Sequence, residues 1–186
     1  MSAPILSQFA ILEKRKAAFL LDLKTWTSPQ LAFHPPRGGW SALEVLDHVV
    51  KTERGITEEM EKNLPDARRV SALDAVRSRL LIALMNSRLR VKVPIEVSAR
   101  VWPERVADLN IMLSSWADSQ RRVRAWIDGL GNDQTAFAVF RHPVSGWMRP
   151  LEAIGFMGAH ARHHVFQLRR ISRQPGWNVA DQPNSG

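Results

Sequence analysis

The chain has 186 residues, of which 45% are apolar, and it carries a formal net charge of +8. This length and composition are typical of one globular domain with its own core, and they argue against a disordered chain. Cysteine and tyrosine are both absent, which excludes disulfides, thiolate nucleophiles, cysteine-based zinc sites and phenolic acids.

No targeting or membrane-spanning segment is expected. The first residues lack the charged start and uninterrupted apolar core of a signal peptide. No apolar run approaches the roughly 20 residues that a helix needs to cross a bilayer. We therefore expect a cytoplasmic protein with no membrane partner.

The first two predicted helices lie on either side of a loop. Apolar residues recur at three- and four-residue steps over Ile5–Trp26, and the loop Thr27–Gly39 follows. Ser41 then precedes an apolar periodic run, with Glu44 three residues later, which is a capping box at a helix start. The predicted buried face of this second helix, with His48 at its margin, consists of Val45, Val49, Ile56 and Met60.

Glu53 falls inside the apolar arc of the second helix rather than on its acidic outer face. A buried carboxylate normally needs a cation or a hydrogen-bond donor beside it. Two interpretations stay open. Either a partner arginine or a helix-end position gives Glu53 a structural role, or its carboxylate belongs to a functional site.

The middle of the chain predicts a third helix and a long crossover. Leu64–Asp66 ends the second helix, and the third begins within Val70–Leu73. Residues Arg90–Pro103 alternate β-branched residues with prolines, which favours an extended crossover over a strand. The expected inner face of the third helix contains Leu73, Val76, Leu80 and Leu84.

A fourth helix is predicted over Glu104–Leu130, where apolar residues recur at nearly heptad spacing. Asn132–Trp147 is then predicted to be a loop. Five helical periods without a convincing strand indicate an all-α bundle. We assign residues 1–174 to a single domain and residues 175–186 to a polar C-terminal tail.

The last predicted helix, Leu151–Arg173, holds three of the six histidines within five residues. At about 100° per residue, His164 lies on the apolar stripe of this helix and His160 lies one turn earlier beside it. An i, i+4 pair of histidines can share one metal ion, although such pairs are also common structural or surface features. His163 lies about 100° from His164 and flanks the pair. In a bundle, His48 can meet this pair if the two helices are neighbours.

The positive charge raises the question of a nucleic-acid partner. The basic residues are spread along the predicted helices, as on solvated faces. No helix-turn-helix, zinc-finger or aromatic RNA-binding signature accompanies them. A nucleic-acid-binding helical protein is therefore the weakest functional hypothesis, and we do not expect nucleic acid as the partner.

Two segments resemble the DinB-like superfamily of four-helix-bundle metalloenzymes. Residues Trp40–His48 (WSALEVLDH), followed by Glu53, resemble the family segment W-S-x-x-E-V-L-x-H, which supplies one metal histidine. Residues Gly158–Leu168 resemble its last segment, in which H-x-x-x-H-x-x-Q supplies two more. His142 and Pro143, with Gly146, also fit the pattern, and the similarity runs from about Ile5 to Ser172.

The resemblance implies an all-α four-helix bundle with a long crossover, often assembled as a homodimer. It makes His48, His160 and His164 the ligands of a divalent metal ion, with zinc or nickel expected first and iron possible. A shifted register would replace His164 by His163, but the apolar stripe favours His164. Glu53 becomes a candidate to orient a metal-bound imidazole or accept a proton.

Three neutral imidazoles leave a coordination position open, as in catalytic sites. The leading hypothesis is therefore a metal-dependent hydrolase or thiol-dependent transferase acting on a small-molecule substrate. An external thiol cofactor is compatible with a chain that has no cysteine. The alternative is a non-catalytic metal-binding stress-response protein in which the ion braces the bundle.

Overall fold

The computed structural model describes residues 2–66, 68–89, 101–103 and 108–178. Its helices are α1 (Ala3–Lys24), α2 (Ser28–Ala32), α3 (Ala42–Asn63), α4 (Ala72–Asn86), α5 (Leu109–Asp128) and α6 (Pro150–Ile171). Short 3-10 turns cover Leu64–Asp66 and Asp133–Ala136. Two strands, β1 (Phe140–His142) and β2 (Gly146–Met148), form an antiparallel hairpin before α6.

Four of these helices form a closed bundle. Helix α1 packs along α6, α6 packs against α3, α3 packs against α5, and α5 returns to α1. Helix α4 lies outside this ring, in the connection between α3 and α5, and packs on α6. The predicted all-α bundle with a long crossover is confirmed, and α3 and α6 are neighbours.

Some sequence predictions fall where the structure gives no description. Residues 90–100 of the predicted extended crossover, residues 104–107 at the predicted start of the fourth helix and residues 179–186 of the predicted tail lie outside the described residues. Within the described part of the chain, no helix is long and apolar enough to span a bilayer.

The capping box at the start of α3 forms as predicted. Ser41 Oγ accepts a hydrogen bond from the Glu44 backbone N–H at 3.3 Å, and the Glu44 carboxylate accepts from the Ser41 N–H at 2.8 Å. These two bonds satisfy N–H groups that have no partner within the helix. They fix where α3 begins and therefore which face carries His48, between the buried residues Val45 and Val49.

Two apolar clusters fill the bundle, and buried polar residues lie between them. Along α1 the first cluster includes Leu12 and the second includes Phe19, with Lys16 at the buried position between. Along α3 the change occurs between Val50 and Ile56, where Glu53 lies buried. The core therefore contains a polar layer between two apolar ends.

The prediction of which face of α4 is buried is wrong. Its stripe is exposed to solvent, with 65% of the Leu80 surface accessible, while Ser78 and Met85 are buried. Leu81 and Ile82 contribute to the packed side. Helix α4 is apolar on two sides, so periodicity alone cannot decide which side faces the bundle. The exposed residues are Leu73, Val76, Leu80 and Leu84.

The hairpin also departs from the predicted loop over Asn132–Trp147. Each strand has only three residues, too few for an alternating apolar pattern to be visible in the sequence. Gly146 has a φ of +83°, a conformation that glycine adopts without a Cβ clash. The missing Cβ also lets Asp74 of α4 approach, since a Cβ there would clash with its Oδ1.

Candidate metal centre

Three histidines from two helices converge inside the bundle. His48 lies on α3, and His160 and His164 lie one turn apart on α6. The Nε2 atom of His160 is 3.2 Å from Nε2 of His48 and 3.1 Å from Nε2 of His164. All three side chains are buried, with 6–9% of each residue exposed. One nitrogen from each lies within 4.8 Å of the others, so this group could hold a metal ion.

The nitrogen separations suit a shared divalent cation. Zinc–imidazole bonds of about 2.0–2.1 Å in a tetrahedral site place neighbouring nitrogens about 3.3 Å apart. The observed separations of 3.1 and 3.2 Å are close to that value. Among the described residues, no carboxylate joins the group. The remaining pair, His48 and His164, lies within 4.8 Å, so the three imidazoles are grouped closely enough to share one ion.

Hydrogen bonds on the far side of two rings orient them toward the centre. Nδ1 of His48 donates to the carbonyl oxygen of Val101 at 2.8 Å. Nδ1 of His164 donates to Oε1 of Gln167, also at 2.8 Å. Donation from Nδ1 leaves the lone pair on Nε2, the atom that faces the other rings. Both rings are thus set in the tautomer that a metal ligand requires.

The electrostatic surroundings keep these histidines neutral. Burial, followed by the charges that the neighbouring histidines would carry, lowers the pKa of His160 and of His164 well below the usual value. Burial is also the largest cause of the lowered pKa of His48. Neutral imidazole is the form that binds a metal ion. No proton has to leave these rings near neutral pH before an ion binds.

His163 is buried beside the cluster but is not a member of it. Its ring centroid lies 5.5 Å from that of His164, yet the group that could hold an ion contains His48, His160 and His164. Within the described structure, Nδ1 of His163 is buried without a hydrogen-bond partner. The structure therefore has the register in which His164, on the apolar stripe of α6, points inward, and not the shifted register in which His163 would replace it.

Glu53 is buried as predicted, but its partners differ from those expected of a residue that orients an imidazole. Oε1 accepts a hydrogen bond from Lys16 Nζ at 3.2 Å, and Oε2 accepts from the Trp116 indole at 2.9 Å. Among the described residues, neither oxygen is hydrogen-bonded to a histidine. The structural interpretation of Glu53 therefore describes its contacts better, with a lysine and an indole in place of an arginine.

Aromatic residues to which the sequence alone gave no role lie around the three histidines. The Trp40 ring lies 4.9 Å from that of His48, and Trp102 packs edge-on against Trp40 at 5.2 Å. On another side, Phe156 lies between His160 and His142, with centroid distances of 5.7 and 4.8 Å. Trp40 belongs to the recognised motif, but nothing in the sequence signals that Trp102 would reach it.

Comparison with known proteins agrees with this geometry. A sequence model of the DinB superfamily matches residues 11–180, which is most of the chain and includes all three histidines. No curated protein and no solved structure gave a significant match. The family, the helical fold and the histidine group thus agree with one another, while the reaction has to be argued from the site itself.

Proposed function

Because the chain belongs to the DinB superfamily and brings three neutral histidines together, we propose that it is a metal-dependent enzyme of hydrolase or thiol-dependent transferase type. The observation that carries this proposal is the meeting of three Nε2 atoms, with neighbouring separations of 3.1 and 3.2 Å, in a site that contains no fourth protein ligand among the described residues. Structural sites usually complete four protein ligands, whereas catalytic sites keep one position open.

The residues of this chain hold the ion and set its electronic character. His48, His160 and His164 supply only neutral nitrogen ligands, so the charge of a divalent ion is not reduced by the protein. Such an ion supplies a bound water of lowered pKa, or a binding position for a thiolate. The hydrogen bonds from His48 to Val101 and from His164 to Gln167 keep the ligand rings in place.

The expected metal and cofactor follow from the donor set. Nitrogen-only ligation suits zinc or nickel, with iron as a further candidate, and does not choose among them. The chain has no cysteine, so a transferase reaction would take its thiol from a small-molecule cofactor. Zinc holds thiolates well, which makes this branch chemically consistent.

Trp40 and Trp102 are the residues that we propose to contact the substrate. Trp40 covers His48, while Trp102 is 45% exposed and packs on Trp40. The carbonyl of the preceding residue, Val101, accepts the hydrogen bond from His48. The segment that orients one ligand therefore also forms the rim of the site, where an apolar part of a small molecule can pack.

The test is turnover by protein reconstituted with zinc, nickel or ferrous ion, against panels of esters, amides and electrophiles offered with low-molecular-weight thiols. We expect one panel to give turnover that depends on added metal and is lost in His48→Ala. The matched control is His163→Ala, a buried histidine on α6 outside the cluster, which should retain activity. Equal activity of wild type and His48→Ala would remove the proposed chemistry.

A strong metal-dependent rise in melting temperature without turnover on any panel would favour the bracing role instead, since binding to the folded state alone stabilises it. A homodimer also stays a prediction, and light scattering of the purified protein checks it.

A further inference from the structure

Helix α6 carries a second patterned face, on the side away from its metal-site histidines. Arginine and phenylalanine recur there at spacings of four and three residues, as Arg162, Phe166 and Arg169. At about 100° per residue these three side chains share one face, and Arg173 follows just beyond the end of the helix. His164 lies roughly 200° from Arg162 around the helix, so it points to the opposite side. The two faces are separate surfaces of one helix.

This second face forms one wall of a groove. The groove lies against α1, has a volume of about 560 Å³, and is lined by Lys14, Arg15, Arg88, Arg162 and Arg169 around Phe166. An adjoining cavity of about 220 Å³ shares three of these residues and extends to Arg170 and Arg173. No carboxylate lines either cavity in the described structure. Together they form a concave surface that we call the basic groove, in which these cations surround an apolar floor of Ile11, Ala18, Val165 and Phe166.

Most cations of the basic groove have no acidic partner among the described residues. Arg169 reaches Asp22 at 3.5 Å, but no ion pair joins a carboxylate to Lys14, Arg15, Arg88 or Arg162 in the described structure. Several arginines elsewhere do have such partners. Examples are Arg54 with Glu58, Arg122 with Glu61 and Arg124 with Asp128.

Packing holds several of these guanidinium groups in the groove. Arg15 lies over Gly158 of α6, where an added Cβ would come within 3.3 Å of its Nη1 atom. The guanidinium groups of Arg88 and Arg162 lie 5.9 and 5.4 Å from the centre of the Phe166 ring, a cation–π arrangement. Burial, and then the charge of Arg162, lower the pKa of Arg15. Like charges are thus held near one another without a described counter-ion.

We propose that the basic groove binds a small anion that carries several phosphate groups. Planar guanidinium groups pair with phosphate oxygens through two hydrogen bonds at once. A groove of about 560 Å³ is within the size range of small-molecule sites. The Phe166 ring already carries two guanidinium groups, so it is poorly placed to stack on a nucleobase. Recognition through phosphates therefore fits better than recognition of a nucleic-acid strand.

Calorimetric titration of the full-length, metal-loaded protein with inorganic tripolyphosphate tests this proposal at physiological ionic strength. We expect binding to the wild type and a loss of about tenfold or more in affinity for Arg162→Gln and for Arg88→Gln, because each loses a charged contact. Arg162 and Arg88 are exposed, so both variants should fold.

Arg54→Gln is the matched control, because it removes the same charge from an exposed site on α3 that is paired with Glu58. Its affinity should stay within about twofold of wild type, as expected for an exposed ion pair. Arg54→Gln keeps all three histidines. If tripolyphosphate removed the metal ion, the measured heat would therefore change equally in this variant and in the wild type. Absence of binding to wild type, an equal loss in Arg54→Gln, or tighter binding of a short single-stranded oligonucleotide would each overturn the proposal.

Discussion

Replacing Lys16 by methionine should expose the energetic role of the polar layer in the bundle core. Lys16 Nζ donates to Glu53 at 3.2 Å and to the backbone carbonyl of Trp116 at 3.1 Å. The Trp116 indole donates to the other Glu53 oxygen at 2.9 Å. Only 3% of either charged residue is exposed. The Lys16→Met variant therefore leaves the Glu53 carboxylate buried with a single donor.

The expected loss of stability in Lys16→Met follows from the balance between the attraction of the two charges and the cost of removing them from water. Charges 3.2 Å apart attract by about 5 kcal/mol at an effective dielectric constant of about 20. Burial nevertheless lowers the pKa of Lys16 to about 8 despite the raising effect of Glu53, so desolvation outweighs that attraction. Breaking a buried pair by removing one partner costs about 3–5 kcal/mol, whereas removing both charges is often nearly neutral.

Urea denaturation measures the effect. With a slope of about 2–3 kcal/mol/M, Lys16→Met should lower the midpoint by about 1–2 M. The double variant Lys16→Met/Glu53→Gln should recover about 2 kcal/mol or more of that loss, because the remaining amide oxygen is neutral and can still accept from Trp116. Lys24→Met, at an exposed lysine on the same helix, should leave the midpoint unchanged. A double variant less stable than Lys16→Met would show that the unpaired charge on Glu53 is not the cause of the loss.

Three further predictions concern individual contacts. Gln167→Leu removes the acceptor of His164 Nδ1 and should weaken metal affinity by about 10–100-fold in a competition titration with a chromophoric chelator; unchanged affinity would contradict the orienting role. Burial lowers the pKa of His142 in the folded protein to about 4, whereas histidine in the unfolded chain keeps its usual pKa of about 6.5. Between these two values the unfolded chain binds one more proton than the folded protein, so stability falls as the pH drops from about 6.5 to 4. His142→Phe should remove up to about 3 kcal/mol of that pH dependence in urea titrations, and an unchanged slope would argue against it. Gly146→Ala should lower the free energy of unfolding by about 1–3 kcal/mol, because of its positive φ and the nearby Asp74; a neutral effect would show that the hairpin relaxes easily.

The sequence is sufficient to predict the bundle helices because their signals are local. Apolar periodicity and the capping box at Ser41 depend on residues within a few positions of one another. The predicted helix Leu151–Arg173 differs from the observed α6, Pro150–Ile171, by one residue at its start and two at its end. Periodicity failed for α4, where apolar residues occupy two sides and tertiary packing selects between them.

Glu53 shows what a local sequence pattern can predict and what it cannot. Its position in an apolar arc predicts burial and the need for a partner, and both are observed. The partner, Lys16, occupies the gap in the apolar stripe of α1 between Leu12 and Phe19. That gap was visible in the sequence, but pairing it with Glu53 requires knowing which helices face each other.

The histidine cluster was predictable because two of its members are one turn apart on a single helix and the third lies in a recognisable motif. The acceptor at Val101 and the covering ring of Trp102 could not be predicted, since contacts made by a backbone carbonyl or by a residue on a long connection leave no periodic signal. Gln167, three residues after His164, could have been assigned its role from helical spacing alone.

Metal stoichiometry and affinity, measured across a set of single histidine variants, show whether His48, His160 and His164 hold a divalent ion together. We expect wild type and His163→Ala each to bind about one divalent ion per chain, and His48→Ala, His160→Ala and His164→Ala each to lose tight binding, since their Nε2 atoms form the cluster. Retention of wild-type affinity in His48→Ala, or loss of binding in His163→Ala alone, would contradict the assignment of the ion to this site.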